Sequence, residues 1–185
     1  MVHPRFTVCL DGRLCFLLAL LLLLLPLPWV LSAIFAAVIH ELCHAAAIMI
    51  LDGRIYALQL SARGIRMEIS PLSPGRELLA ALAGPLGSAV LTLFAPLLPR
   101  TAICAAVHCL FNLLPLFPLD GGRVLQNLLA LCLPGRNAIS VFEKTQYIFR
   151  ILLILICFFA GLGWGILPAA VGLLLLLRHR KARTV

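Results

Sequence analysis

Long apolar runs separated by short polar segments dominate this sequence and restrict its fold. The runs cover approximately residues 14–25, 29–51, 78–98, 101–116, 148–160 and 162–177. A helix needs ~20 apolar residues to cross the hydrocarbon core of a bilayer, so a chain of 185 residues has room for about six such helices. The runs therefore predict an all-α membrane protein with about six transmembrane helices.

The composition supports this prediction. The chain is 63% hydrophobic and 12% charged, with a mean hydropathy of +1.10, and these values lie outside the range of soluble domains. Since no stretch between the runs is long enough for a separate soluble domain, we expect residues 1–185 to form a single polytopic membrane core. The first run also has features of a cleaved signal peptide. We favour a retained helix, because the apolar character continues into the second run.

The distribution of positive charge predicts the topology. With six spans, residues 1–13, 52–77, 120–150 and 178–185 share one side of the membrane, and they contain every Lys and Arg except Arg100. Because positively charged loops stay in the cytoplasm, we expect a multi-pass protein of the cell membrane with both termini cytoplasmic. Basic flanks beside a bilayer also account for the net charge of +8. The expected partner is therefore the lipid bilayer and not a nucleic acid.

Residues 54–70 alternate between apolar and polar side chains. Tyr56, Leu58 and Leu60 follow a period of two, and the period resumes at Ile65 after a break. This pattern predicts a small membrane-associated β-hairpin between the second and third helices. An edge of the hairpin would suit an extended substrate segment, while an ordinary connecting loop is the alternative.

The second apolar run contains the sequence HELCH, residues 40–44. On a helix, His40 and His44 face the same way, at the spacing of two ligands of one zinc ion. Glu41 follows the first ligand and can accept a proton from a water at the metal. Ionisable side chains at membrane depth are costly unless they have a function. The motif therefore predicts one Zn²⁺ per chain.

Zinc catalysis requires a third protein ligand and an open position for water. The other histidines and acidic residues lie mostly in polar flanks, which leaves His108 and Asp120 as candidates. Two prolines and a double glycine surround Asp120, and a broken segment of this kind allows its carboxylate to turn back toward the second helix. We favour Asp120 as the ligand, with a helix N-cap as the alternative. For His108, a packed core histidine is favoured over a ligand.

Three motifs resemble those of the site-2 protease family of intramembrane zinc metalloproteases: HELCH, AGP at residues 83–85, and NLLPLFPLDGGR at residues 112–123. Within that family, the chain resembles most the bacterial stage IV sporulation proteases, which have six spans and process an inactive sigma-factor precursor. The resemblance implies that His40, His44 and Asp120 bind zinc and that Glu41 is the catalytic base. It also implies that Asn112 holds the substrate or the oxyanion.

The chain departs from that family in two respects. Cys43 occupies a position where the family commonly has glycine. The sporulation relatives carry a carboxy-terminal CBS domain and other relatives a PDZ domain, and we expect neither in residues 1–185. The expected reaction is hydrolysis of peptide bonds within or near the membrane segment of a membrane-associated protein. A sigma-factor precursor or an anti-sigma factor is the substrate that the resemblance suggests.

Three other functions are alternatives to proteolysis of this kind. A CAAX-type membrane peptidase shares HExxH, but its second motif supplies a glutamate or histidine and not a proline-flanked aspartate. A non-proteolytic metal-binding membrane protein or transporter would spread polar residues over several helices, whereas here they converge on two segments. A catalytically inactive scaffold would usually lack Glu41 or a ligand.

Overall fold

The computed structural model describes residues 7–10, 12–61 and 64–164, and it is mostly helical. The elements are β1 (Thr7–Leu10), α1 (Gly12–Leu24), α2 (Leu27–Ile50), β2 (Ile55–Ser61), β3 (Gly64–Ile69), α3 (Pro74–Thr92), α4 (Pro99–Asn112), α5 (Asp120–Cys132) and α6 (Gly135–Trp164). The greater part of the sixth predicted span, the basic segment 178–185 and residues 1–6 lie outside the described residues.

The strands form a three-stranded sheet in the order β1-β2-β3, in which β2 and β3 lie between α2 and α3 in the chain and β1 precedes α1. β2 and β3 are antiparallel, with Leu58 opposite Met67, which confirms the predicted hairpin. β1 runs parallel to β2, with Thr7 opposite Ala57, and was not predicted. Parallel strands need a long crossover connection, which α1 and α2 provide here. Four residues without a clear alternation gave no sequence signal for this strand.

Helix α2 begins after Pro26 and ends in a left-handed turn. Asp52 has a φ of 60°, and the N–H of Gly53 donates a hydrogen bond of 2.8 Å to the Ile48 carbonyl. After glycine, short polar residues such as aspartate tolerate this conformation best. A Cβ at Gly53 would overlap Ile48. The turn directs the chain from the helix into β2.

One face of α2 is buried and the opposite face is apolar and exposed. The buried residues are Val30, Ala36, His40, His44 and Ile48. Among the described residues, α2 is the one helix that is both long and apolar enough to cross a membrane, while the apolar part of α1 is shorter. The prediction of about six spans therefore remains a prediction.

Helix α3 is the centre of the bundle, because it packs against α2, α4 and α5. Small buried residues on α3 permit this close approach; they are Ala80, Ala81, Gly84, Pro85 and Ser88. α6 packs on α5, at the outside of this group. The arrangement brings two buried histidines of α2 and the start of α5 against α3.

The carboxy-terminal half differs from the sequence-based prediction in its helix boundaries. α4 ends at Asn112, earlier than the predicted residue 116, because a residue before proline disfavours the helical conformation and Pro115 follows. α5 and the first half of α6 occupy residues 120–150, where we expected only a polar flank. Long apolar runs do not identify a short amphipathic helix such as α5, which buries one face against α3.

Candidate metal centre

Three side chains from two helices converge on one buried point. His40 Nε2 lies 2.9 Å from Asp120 Oδ2, and His44 Nε2 lies 3.1 Å from that oxygen and 3.1 Å from His40 Nε2. All three residues are buried. The structure therefore brings together the three residues that the motifs suggested, and within the described residues they are the group that could hold a metal ion.

The outer nitrogen of each imidazole has its own partner on α3. His44 Nδ1 donates a hydrogen bond of 2.7 Å to the carbonyl oxygen of Ala80, and His40 Nδ1 shares a hydrogen bond of 2.9 Å with the hydroxyl of Ser88. Because a carbonyl oxygen only accepts, the proton of a neutral His44 is on Nδ1 and its lone pair is on Nε2. Metal-binding histidines are commonly oriented in this way.

The donor set fits a metal cation. A neutral His44 presents the Nε2 lone pair to a carboxylate oxygen of Asp120 and to the Nε2 atom of His40, and neighbouring lone pairs repel unless a proton or a cation lies between them. Two imidazoles and one carboxylate are also a ligand set found in catalytic zinc sites, which leave one position open. The residues present therefore suit Zn²⁺.

Two glycines of α3 allow α3 to approach the face of α2 that carries His44 and Cys43. A Cβ at Gly84 would overlap the imidazole of His44, and a Cβ at Gly87 would overlap the side chain of Cys43. The absence of a side chain at these two positions therefore permits the close packing of α3 on the HELCH helix. Cys43 is half-buried in this contact and packs on α3.

A tight fold-back places Asp120 at the first turn of α5. A Cβ at Gly121 would overlap the carbonyl oxygens of Leu113 and Leu114, and a Cβ at Gly122 would overlap the peptide bond between Leu116 and Phe117. The double glycine therefore lets the start of α5 lie directly on the segment that precedes it. Leu119 is the N-cap of the helix, so Asp120 faces the histidines instead of capping α5.

Comparison with solved structures identifies the architecture. The chain superposes on the structure titled "Site-2 Protease from Methanocaldococcus jannaschii" with a TM-score of 0.70, over 100% of this chain and 97% of that chain, at 19% sequence identity. The chain has the site-2 protease fold. No family model matches the sequence, and no curated protein matches it.

Within the site-2 protease fold, Glu41 is half-buried on α2 beside the three converging side chains. Its carboxyl group interacts electrostatically with His44, His40 and Asp120, and also with Arg123. A carboxylate next to a group of metal ligands is placed to exchange protons with a bound water. This arrangement is compatible with the expected role of Glu41 as a base.

Asn112 and His108 lie one turn apart on α4, and His108 contacts one histidine of the site. The amide nitrogen of Asn112 donates a hydrogen bond of 3.1 Å to the carbonyl oxygen of His108. The His108 ring packs edge-on against His40, with 4.5 Å between ring centroids. His108 does not join the three-residue group within the described structure, in agreement with its favoured role as a packed histidine.

Two groups that orient the converging side chains were not predicted from the sequence. Ser88 is fully buried with its hydroxyl on His40, and the carbonyl oxygen of Ala80 has no side-chain signal at all. The spacing of Gly84 and Ser88 places both on one face of α3. That spacing was the one sequence feature that could have indicated that Ser88 faces the site.

Proposed function

We propose that this chain is an intramembrane zinc metalloprotease that cleaves peptide bonds within or near the membrane segment of a membrane-associated protein. The observation that carries the proposal is the convergence of His40, His44 and Asp120 at hydrogen-bond distance. The convergence occurs inside a helix bundle with the site-2 protease fold. Neither the three converging side chains nor the fold would be sufficient alone to support the proposal.

Each polar residue of the site has a proposed role. His40, His44 and Asp120 hold one zinc ion, which supplies Lewis-acid chemistry for water and for a carbonyl group when it is bound. Glu41 accepts a proton from the attacking water and delivers it to the leaving amine. Asn112 donates a hydrogen bond to the developing oxyanion, using the amide hydrogen that is not directed at the His108 carbonyl.

The exposed face of α2 supports a location in the membrane. Large apolar residues cover this face, among them Ile34, Phe35, Val38 and Met49. A soluble protein would cover such a surface with polar residues or with another element. We propose that lipid surrounds this face, that the chain is multi-pass, and that both termini are cytoplasmic, as the charge distribution indicates.

The sheet supports a mode of substrate binding. β3 lies at one edge of the three-stranded sheet. In the chain, β2 connects it to α2, the helix that carries the HELCH motif. A helical substrate hides its peptide bonds in intrahelical hydrogen bonds, so it must unwind before cleavage. Strand addition at a sheet edge stabilises an extended segment through main-chain hydrogen bonds. We propose this role for β3, with a sigma-factor precursor or an anti-sigma factor as the first substrates to test.

The variant Glu41→Gln tests the proposed role of Glu41 as the catalytic base. Wild type and variant are co-expressed with candidate single-span substrates, and the zinc content of each purified protein is measured. We expect Glu41→Gln to retain one zinc per chain while cleavage falls by about 10²- to 10⁴-fold, the usual contribution of general acid–base catalysis. Glu143→Gln is the matched control, since Glu143 is exposed on α6. Cleavage by Glu41→Gln at the wild-type rate would show that the assigned base is wrong.

A further inference from the structure

Gln146 of α6 makes two hydrogen bonds to the segment between α4 and α5. Its Oε1 accepts a hydrogen bond of 2.8 Å from the N–H of Phe117, and its Nε2 donates one of 2.7 Å to the carbonyl oxygen of Pro115. The side chain is buried, with 7% of its surface exposed. One amide therefore satisfies a backbone donor and a backbone acceptor two residues apart.

The segment depends on this partner because its prolines limit the hydrogen bonds that it can form internally. Pro115 and Pro118 have no N–H to donate. Two backbone hydrogen bonds stabilise the turn. The N–H of Leu116 donates to the carbonyl oxygen of Leu114 at 2.7 Å, and the N–H of Leu119 donates to the carbonyl oxygen of Leu116 at 2.8 Å. Within the described structure, the N–H of Phe117 and the carbonyl of Pro115 are bonded to Gln146.

The peptide bond that Gln146 holds is also the surface on which α5 begins. Gly122 lies so close to the peptide bond between Leu116 and Phe117 that a Cβ would overlap it. Gln146 binds the N–H of that same peptide bond. Asp120 is two residues before Gly122, in the same first turn of α5. The contacts therefore form a continuous path from α6 through this peptide bond to the carboxylate.

We infer that Gln146 is a positioning residue of the metal centre, because it fixes the peptide bond against which the Asp120 turn packs. The histidines belong to α2 and Asp120 to α5, so their relative position depends on packing and not on covalent connection. Outer-shell hydrogen bonds are known to tune metal affinity through the ligands that they orient. The inference rests on the proposed function only in taking zinc as the ligand.

A purely structural role for Gln146 makes a different prediction from a positioning role. Loss of a buried hydrogen-bonding group lowers the thermal stability of the metal-free protein in either case. Only a positioning role also changes the affinity for the metal and the geometry of its ligands. Zinc affinity and the absorption spectrum of bound Co²⁺, which responds to ligand geometry, therefore distinguish the two roles, and neither requires a substrate.

The test compares Gln146→Met, which retains the length of the side chain without its hydrogen bonds, with Gln126→Met, a matched control at an exposed glutamine of α5. The full chain is purified in detergent, zinc affinity is measured by chelator competition, and cobalt spectra are recorded. We expect Gln146→Met to weaken zinc binding by about 10- to 100-fold and to change the cobalt spectrum, and Gln126→Met to do neither. If Gln146→Met does not fold, Gln146→Glu decides, because its ionised carboxylate still accepts a hydrogen bond from the N–H of Phe117 but donates none to the carbonyl oxygen of Pro115.

Two results would overturn the inference in distinguishable ways. Wild-type affinity and an unchanged cobalt spectrum in the Gln146 variant would assign Gln146 to stability alone and leave the proposed function intact. A wild-type protein that binds neither Zn²⁺ nor Co²⁺ would overturn the proposed zinc site, and this inference with it.

Discussion

The Nδ1 atom of His44 donates a hydrogen bond of 2.7 Å to the carbonyl oxygen of Ala80 on α3. This contact joins the helix that carries the HELCH motif to the central helix of the bundle. It also directs the other ring nitrogen of His44 toward Asp120, 3.1 Å away. The chemistry of the site therefore depends on α3, although α3 supplies none of the three converging side chains.

Ser88→Ala tests this dependence at the second histidine. The substitution removes the hydroxyl that lies 2.9 Å from His40 Nδ1 and leaves the ring less firmly oriented. We expect zinc affinity to fall by about 10-fold or more, measured by chelator competition. Thr92→Ala, which removes an exposed hydroxyl at the end of the same helix, should keep wild-type affinity. Equal affinities in the two variants would contradict a role for Ser88 in orienting the ligand.

Gly84→Ala tests the packing of α3 on α2. The added methyl group would overlap the imidazole of His44, so the helices must separate or the ring must move. We expect the free energy of unfolding to fall by about 1–3 kcal/mol and zinc binding to weaken as well. Gly75→Ala in the first turn of α3 meets no neighbouring atom and should leave both properties unchanged or slightly improved. A stable, zinc-binding Gly84→Ala variant would contradict the described contact.

Asp120→Asn tests the third ligand with a change of nearly identical shape. A neutral amide oxygen is a poorer zinc ligand than a carboxylate, and two buried histidines would lose their anionic partner. We expect the variant to lose zinc to a chelator at concentrations that leave the wild type loaded. Asp52→Asn, at an exposed aspartate beyond α2, should retain its metal, and metal analysis after chelator treatment compares the two.

Val38→Lys tests whether the exposed face of α2 contacts lipid. Val38 lies near the middle of the helix and 42% of its surface is exposed. On a water-exposed surface, lysine would be tolerated, whereas at the centre of a membrane span it costs about 2.5–3.5 kcal/mol. We expect a lower yield of inserted protein in a membrane-insertion assay. Leu131→Lys on α5, within the flank expected to be cytoplasmic, should insert normally. Insertion of Val38→Lys at the wild-type level would contradict the proposed membrane position of α2.

The sequence was sufficient to predict the elements whose chemistry is local. The i, i+4 spacing of His40 and His44 needs only a helix to bring both rings to one face. The hairpin has a period of two on both sides of a break, and both strands are present. Asp120 was identifiable because prolines and glycines around it signal an irregular segment in a chain otherwise made of apolar runs.

Features that depend on contacts between distant residues could not be predicted in this way. Ser88 reaches His40 across 48 residues of sequence, and Gln146 reaches Pro115 across 31. The sequence alone does not distinguish a buried serine or glutamine from an exposed one. β1 and α5 were missed because each is short and is stabilised by a neighbour, β2 for the strand and α3 for the helix.

The most direct test of the account is cleavage of a single-span substrate by the purified, zinc-loaded protein in lipid, with the products identified by mass spectrometry. We expect a new terminus within or next to the substrate's apolar segment, produced by the wild type and by Glu143→Gln but not by Glu41→Gln. A protein that binds zinc at His40, His44 and Asp120 yet cleaves no membrane substrate would contradict the account. The same products from Glu41→Gln at the wild-type rate would contradict it equally.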